Sequence, residues 1–159
     1  MARILVGLDG SAASSRALRW ALEQAQLRGD SAVVAVHAYR IPGARPNYAY
    51  TESYLPAGAL ERRVEQERTL RAEEESTARE RAEGLIEHAI LAEGEAAEGQ
   101  VIKRVVAEGD AAKTLIEMSR GVDLLVVGSR GIGGFKGLLV GSVSQQCLHH
   151  AHCPVVVVR

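Results

Sequence analysis

Hydrophobic residues follow two alternating patterns along this 159-residue chain. Short strand-like runs occupy residues 4–8, 33–39, 101–107, 123–128 and 154–158, mainly apolar but with Lys103 and Arg104 inside the third and Asp123 opening the fourth. The run 33–39 lacks the every-second-residue alternation of a half-exposed strand, as expected of a strand covered on both faces in a parallel sheet. Between the runs, apolar residues recur at three- and four-residue intervals, which gathers them on one side of a helix. Ala17, Leu18, Ala21, Leu22 and Ala25 make the first such stripe, and Gly29 closes it at the usual C-terminal glycine position. Ala112, Leu115 and Ile116 make a shorter one behind Asp110, a helix N-cap residue, and a last helix covers about 142–151. Strand and helix alternate throughout. The fold class predicted is α/β: one domain over 1–159, with a five-stranded, mainly parallel sheet flanked by helices as a Rossmann-like open sandwich. Its crossovers should be right-handed, with ligands at the carboxyl ends of the strands.

Two segments interrupt this rhythm. Residues 40–58 hold three prolines, two glycines and three tyrosines, a loop long enough to act as a lid over the neighbouring strand end. Residues 60–93 then read as one helix in which Arg63, Glu67, Arg71, Glu75, Arg79 and Glu83 alternate in sign at every fourth position. Each neighbouring pair supports the helix weakly, so the charges describe a solvated face. The apolar stripe of Ala78, Ala82, Leu85, Ile86, Ala89 and Ile90 lies in its second half, so the first half is expected to protrude.

Composition narrows the chemistry. With 19 basic against 20 acidic residues, the overall charge predicts neither nucleic-acid nor membrane affinity, and any phosphate recognition must be local. No signal-peptide pattern and no membrane-length apolar stretch is evident, so a cytoplasmic location is expected. The two cysteines, Cys147 and Cys153, read as reduced core thiols. The nearby His149, His150 and His152 raise the question of a metal, but adjacent histidines on a helix point about 100° apart and no second cluster completes a tetrahedron. No metal site is predicted.

The candidate chemistry lies in the stretch Gly128-Ser129-Arg130-Gly131-Ile132-Gly133-Gly134-Phe135-Lys136-Gly137-Leu138-Leu139-Val140-Gly141-Ser142, with six glycines in the 14 positions from 128 to 141. It joins the end of a strand to the start of a helix, where free backbone N–H groups meet an anion. Glycines let the backbone approach a polyphosphate closely. Ser142 can add a hydroxyl and cap the helix, and Arg130 and Lys136 offer positive charge. No Gly-Lys-Ser/Thr signature occurs, the dinucleotide fingerprint fails for want of its later acidic residue, and neither Gly-x-Ser-x-Gly nor His-Glu-x-x-His is present.

Gly128, Gly131, Gly141 and Ser142 stand at the spacing Gly-x2-Gly-x9-Gly-Ser/Thr, and in this the chain resembles the ATP-binding members of the universal stress protein family. The resemblance extends to the opening Ile4-Leu5-Val6-Gly7-Leu8-Asp9-Gly10-Ser11, to Val36-His37-Ala38, to Glu108-Gly109-Asp110 and to the closing Cys153-Pro154-Val155-Val156-Val157-Val158. It implies a bound adenine nucleotide, ATP with ADP or AMP as alternatives, together with Mg. Asp9 would lie by the ribose and phosphates, with the backbone of Gly7 and Leu8 beside the base and Ala38 meeting adenine. Val127 and Gly128 would flank the nucleotide, and Arg130, Gly131, Gly141, Ser142, Val143 and Ser144 would surround the ribose and phosphates. It also implies a homodimer joined through the last strand, whose apolar run suits antiparallel pairing.

Three functions remain open on these residues: a nucleotide-occupied switch or sensor in a stress response, with slow or no hydrolysis; a weak Mg-dependent ATPase or nucleotidyl transferase organised by Asp9; and an interaction protein without nucleotide. The cradle lacks an evident general base, so no catalytic residue is assigned.

Overall fold

A computed structural model describes residues 2–41, 59–132 and 140–159. Ala2–Gly7 (β1), Ser31–Tyr39 (β2), Val101–Glu108 (β3), Leu124–Gly128 (β4) and Val155–Val158 (β5) form one sheet in the order β3-β2-β1-β4-β5. All four pairings are parallel. The helices are Ala12–Arg28 (α1), Ala59–Ala92 (α2), Ala111–Met118 (α3) and Ser142–His150 (α4), with short 3-10 turns at Gly94–Ala96 and Ser119–Gly121. This is the expected α/β sandwich. The long loop proposed for 40–58 falls, from residue 42 onward, outside the described residues, as does Lys136.

Side chains of alternate strand residues point to opposite faces of the sheet, and each face is covered. Ile4, Val6, Leu8, Val33 and Val126 pack under α1 and the second half of α2, where Leu18, Leu22, Ile86 and Ile90 close the layer. Leu5, Val34, Val36, Leu125 and Val127 pack against Leu115 of α3 and Cys147 of α4. Fully burying one such side chain contributes about 1.5–3 kcal/mol, so these two layers hold the sandwich together. On the α1 side, Arg19 reaches the buried Glu93 carboxylate at 2.8 Å and ties the end of α2 to α1.

The first half of α2 protrudes, as its composition predicts: residues 61–77 are exposed throughout, and burial begins at Ala78 and Ala82. Arg63–Glu67 and Arg79–Glu83 pair along it at 3.6 and 3.1 Å. β2 begins two residues earlier than its apolar run, because Ser31 and Ala32 pair with Ala2 and Arg3.

Candidate functional site

The chain moves outward from β1 through β2 to β3, then returns to place β4 on the other side of β1. The loops leaving β1 and β4 therefore diverge, and a crevice opens between their carboxyl ends, the position where open α/β sheets receive ligands. A cleft of about 370 Å³ occupies this point, within the usual range for small-molecule sites. All twelve candidate residues line it: Gly7, Leu8 and Asp9 from β1 and its loop, Ala38 from β2, Val127 and Gly128 from β4, Arg130 and Gly131 beyond it, and Gly141, Ser142, Val143 and Ser144 at the start of α4. Ser14, Val36, Ala111, Leu115 and Ile132 line it too. Sequence reading missed these five as site residues. Ser14 carried a signal, three positions after the capping Ser11, whereas Leu115 reads only as a core position of α3.

One end of the cleft is apolar. Val36, Ala38, Leu115, Val127 and Val143 form its walls, and Gly7 matters here because a Cβ on it would stand 2.8 Å from Leu115 Cδ1. β2 outlasts β1, whose pairing ends at Gly7 opposite Val36. The Val36 carbonyl accepts the Leu8 N–H at 2.8 Å on the β1 side, while the Tyr39 carbonyl accepts from Gly109 on the β3 side. Strand alternation then turns the N–H and C=O of Ala38 toward the space where β1 has stopped. An adjacent donor and acceptor thus face the apolar slot. Behind them His37 Nδ1 donates to the Leu8 carbonyl at 2.8 Å, because a carbonyl can only accept, and this fixes the strand end.

The other end is built from helix N-termini. Three helices begin at the cleft, and two are closed by their own side chains. Ser11 caps α1, accepting the Ser14 N–H at 3.1 Å, and Asp110 caps α3, accepting the Lys113 N–H at 3.1 Å and the Arg40 guanidinium at 2.7 Å. α4 has Gly141 as its cap, with no side-chain hydrogen bond. The expectation that Ser142 caps this helix is corrected: Ser142 is its first helical residue, one position too late for its hydroxyl to satisfy the opening amides. Gly141 N–H donates to the Ser129 carbonyl at 2.7 Å and Gln145 N–H to the Gly141 carbonyl at 2.9 Å. The amides of Ser142, Val143 and Ser144 between them have no intrahelical partner. The Ser144 hydroxyl is turned away, donating to the Gly128 carbonyl at 2.6 Å.

Asp9 and Arg130 supply the charges among the described lining residues. Burial pushes the Asp9 carboxyl up, but donors on Ser11, Ser14 and the Ile132 backbone together outweigh it and hold the group below its ordinary value of 3.8. It is a carboxylate at neutral pH. Arg130 is exposed. Elsewhere, no three His, Cys, Asp or Glu side chains among the described residues are grouped to hold a metal. Burial, helped by Cys153, pushes the Cys147 thiol up to about 11, so Cys147 is a neutral core group at physiological pH.

Fold and cleft together define a doubly wound α/β protein with an open cleft at its topological switch point. The model of the universal stress protein family matches residues 1–159, and the chain belongs to that family. Universal stress protein Rv2623 of Mycobacterium tuberculosis is 35% identical over 157 residues, covering 98% of this chain and 47% of that protein. The chain thus spans about half the length of the curated relatives it matches. Among solved structures, a universal stress protein in complex with cAMP superposes with a TM-score of 0.60 at 22% identity, covering 99% of this chain and 96% of that one. An Arabidopsis thaliana universal stress protein family member with AMP bound gives 0.58 at 22% identity, covering 99% and 91%. At these identities the likeness carries the fold.

Proposed function

We infer that residues 1–159 form one nucleotide-binding domain that holds an adenine nucleotide, ATP foremost with ADP or AMP as alternatives, and acts as an occupancy switch or sensor in a cytoplasmic stress response. The observation that carries this reading is the contrast between the three helix N-termini. Of the three, α4 alone begins without a side-chain cap bond, and it does so opposite an apolar slot edged by the Ala38 donor and acceptor. A planar base and an anionic tail fit these two ends, and the two fold neighbours that hold cAMP and AMP support the choice of adenine. Three charge-assisted contacts at about 1.5–3 kcal/mol each reach, at the upper end of that range, the ~8 kcal/mol of a micromolar site.

In this reading Gly7, Leu8 and Ala38 meet the base, Val127 and Gly128 flank the nucleotide, and Arg130, Gly131, Gly141, Ser142, Val143 and Ser144 surround the ribose and phosphates. Asp9 sits by the ribose and the metal–phosphate end. Mg²⁺ characteristically takes one or two carboxylates together with phosphate oxygens, and Asp9 provides one. The described lining residues include no second carboxylate or histidine to activate water, so hydrolysis is expected to be slow or absent. β5 is an edge strand, and antiparallel pairing of two copies there gives the homodimer.

Denaturing the purified protein and assaying the supernatant for adenine nucleotide, followed by calorimetry with ATP, ADP and AMP with and without Mg²⁺, tests the reading. Bound or titratable nucleotide is expected. A protein that binds none of the three is an interaction module, and rapid Mg²⁺-dependent turnover makes it an ATPase.

A further inference from the structure

Asp9 engages the far wall of the cleft as well as its own turn. Oδ1 accepts the Ser11 N–H at 3.0 Å. Oδ2 accepts the Ile132 N–H at 3.2 Å, from 123 residues further along the chain. A second tie runs beside it, the Ser11 hydroxyl donating to the Arg130 carbonyl at 3.3 Å. Gly131 lies between these two ties, and a Cβ built on it collides with Asp9 Oδ2. Its φ is not in the positive range, so this glycine answers to the room the carboxylate needs and not to a backbone conformation. On the other side the segment packs on the cap of α4: a Cβ on Gly141 would touch Arg130 Cα at 3.4 Å.

We propose that Asp9 is a positioning residue for the cleft, latching the Gly131–Ile132 backbone to the β1–α1 turn and so holding Arg130 against the open end of α4, with Gly131 kept as glycine to admit the carboxylate. A charge-assisted bond to a backbone N–H is among the stronger hydrogen bonds a protein makes, and here it spans the two loops that diverge at the switch point. The bond to Ile132 takes one of the carboxylate's roughly four lone-pair sites, so the latch is compatible with a direct role of Asp9 toward a ligand.

The latch is read in the nucleotide-free protein, and only its effect on affinity rests on the adenine-nucleotide reading. Amide hydrogen exchange at Ile132 is expected to rise about tenfold or more in both Asp9→Ala and Gly131→Ala. The double variant should exchange no faster than Asp9→Ala, because the new methyl then occupies space the carboxylate has vacated. Calorimetry with ATP should follow the same rule, each single change weakening binding and the double matching Asp9→Ala, whereas independent roles would add. Asp9→Asn, which keeps one acceptor and loses the charge, should fall between wild type and Asp9→Ala and serves if the alanine variant folds poorly. Unchanged exchange at Ile132 in the Asp9 variants, or additive losses in the double, overturns the proposal. A wild type that binds no ATP defeats the nucleotide reading instead and leaves the exchange result to decide the latch.

Discussion

Replacing Gly128 by alanine would put a Cβ 2.7 Å from the Ala13 carbonyl carbon and 2.9 Å from the Ser14 nitrogen. Both are backbone atoms of the first turn of α1, which cannot rotate aside, so overpacking should cost about 1–3 kcal/mol. At about 2–4 °C per kcal/mol for a chain of this size, thermal unfolding should show a clear loss; a variant melting with wild type would mean α1 sits further from β4. Gly141 is the opposite case. Its φ of −74° and ψ of 163° suit any residue, and its Cβ would meet nothing closer than 3.4 Å. Gly141→Ser should therefore cap α4 and stabilise the fold by a few tenths of a kcal/mol. The same hydroxyl would occupy an amide that an anion uses, so nucleotide affinity should fall, by about tenfold for one charge-assisted contact. Melting and calorimetry moving in the same direction would refute the open-cap account. The sequence spacing marks Gly128, Gly131 and Gly141 alike. It could not separate them, because the reasons for the first two, Ala13 and Asp9, stand more than 100 positions away in the chain.

At the scale of elements, edge geometry decides which residue to change in β5. The Pro154 and Val158 carbonyls face β4, bonded to the Leu125 and Ser129 N–H groups. Alternation puts Val156 on that inner side and Val155 and Val157 on the free edge. Val157→Pro removes an outward N–H, so under the proposed last-strand dimer it should release monomers by light scattering while leaving the sheet intact; a variant still fully dimeric would refute that interface. In α2 the two halves should respond differently. Ile86 is fully buried, so Ile86→Ala should cost about 2–5 kcal/mol. Leu70, 58% exposed, should cost within about 0.5 kcal/mol as alanine by denaturant unfolding. That split was legible beforehand, since the apolar stripe of α2 begins at Ala78. Strand existence was equally legible from the short, mainly apolar runs. Strand order was not, because local periodicity carries no information about which run lies beside which.

For the whole molecule, acid stability follows from two carboxylates. Burial raises Asp9 but its donors, Ser11 first, lower it further; the Lys113 N–H, then Arg40, lower Asp110 against a smaller burial effect. Both end below 3.8, so their contribution is fully present above that pH and is lost as pH falls through the depressed folded values. Melting temperature should hold from neutral pH to about 4 as far as these groups decide it, then drop, and Asp9→Asn with Asp110→Asn should flatten that acid limb.

The return of β4 to the side of β1 also sets a timetable. Ile4 pairs with Leu124, and the Arg3 N–H reaches the Asp123 carboxylate across 120 residues. Translation at about 5–20 residues per second therefore leaves β1 waiting roughly 6–24 s for its second neighbour. During that interval β1 can pair only with β2, and its other edge stays open to wrong partners. Neither the wall that Arg130 helps form nor the open end of α4 exists until residues 124–150 have been made. The cleft is thus completed only after α4 has been made, and contacts of such long sequence separation place the domain among slow folders. A nascent chain stalled before β4 would expose the apolar edge of β1 to chaperones while having no cleft to fill.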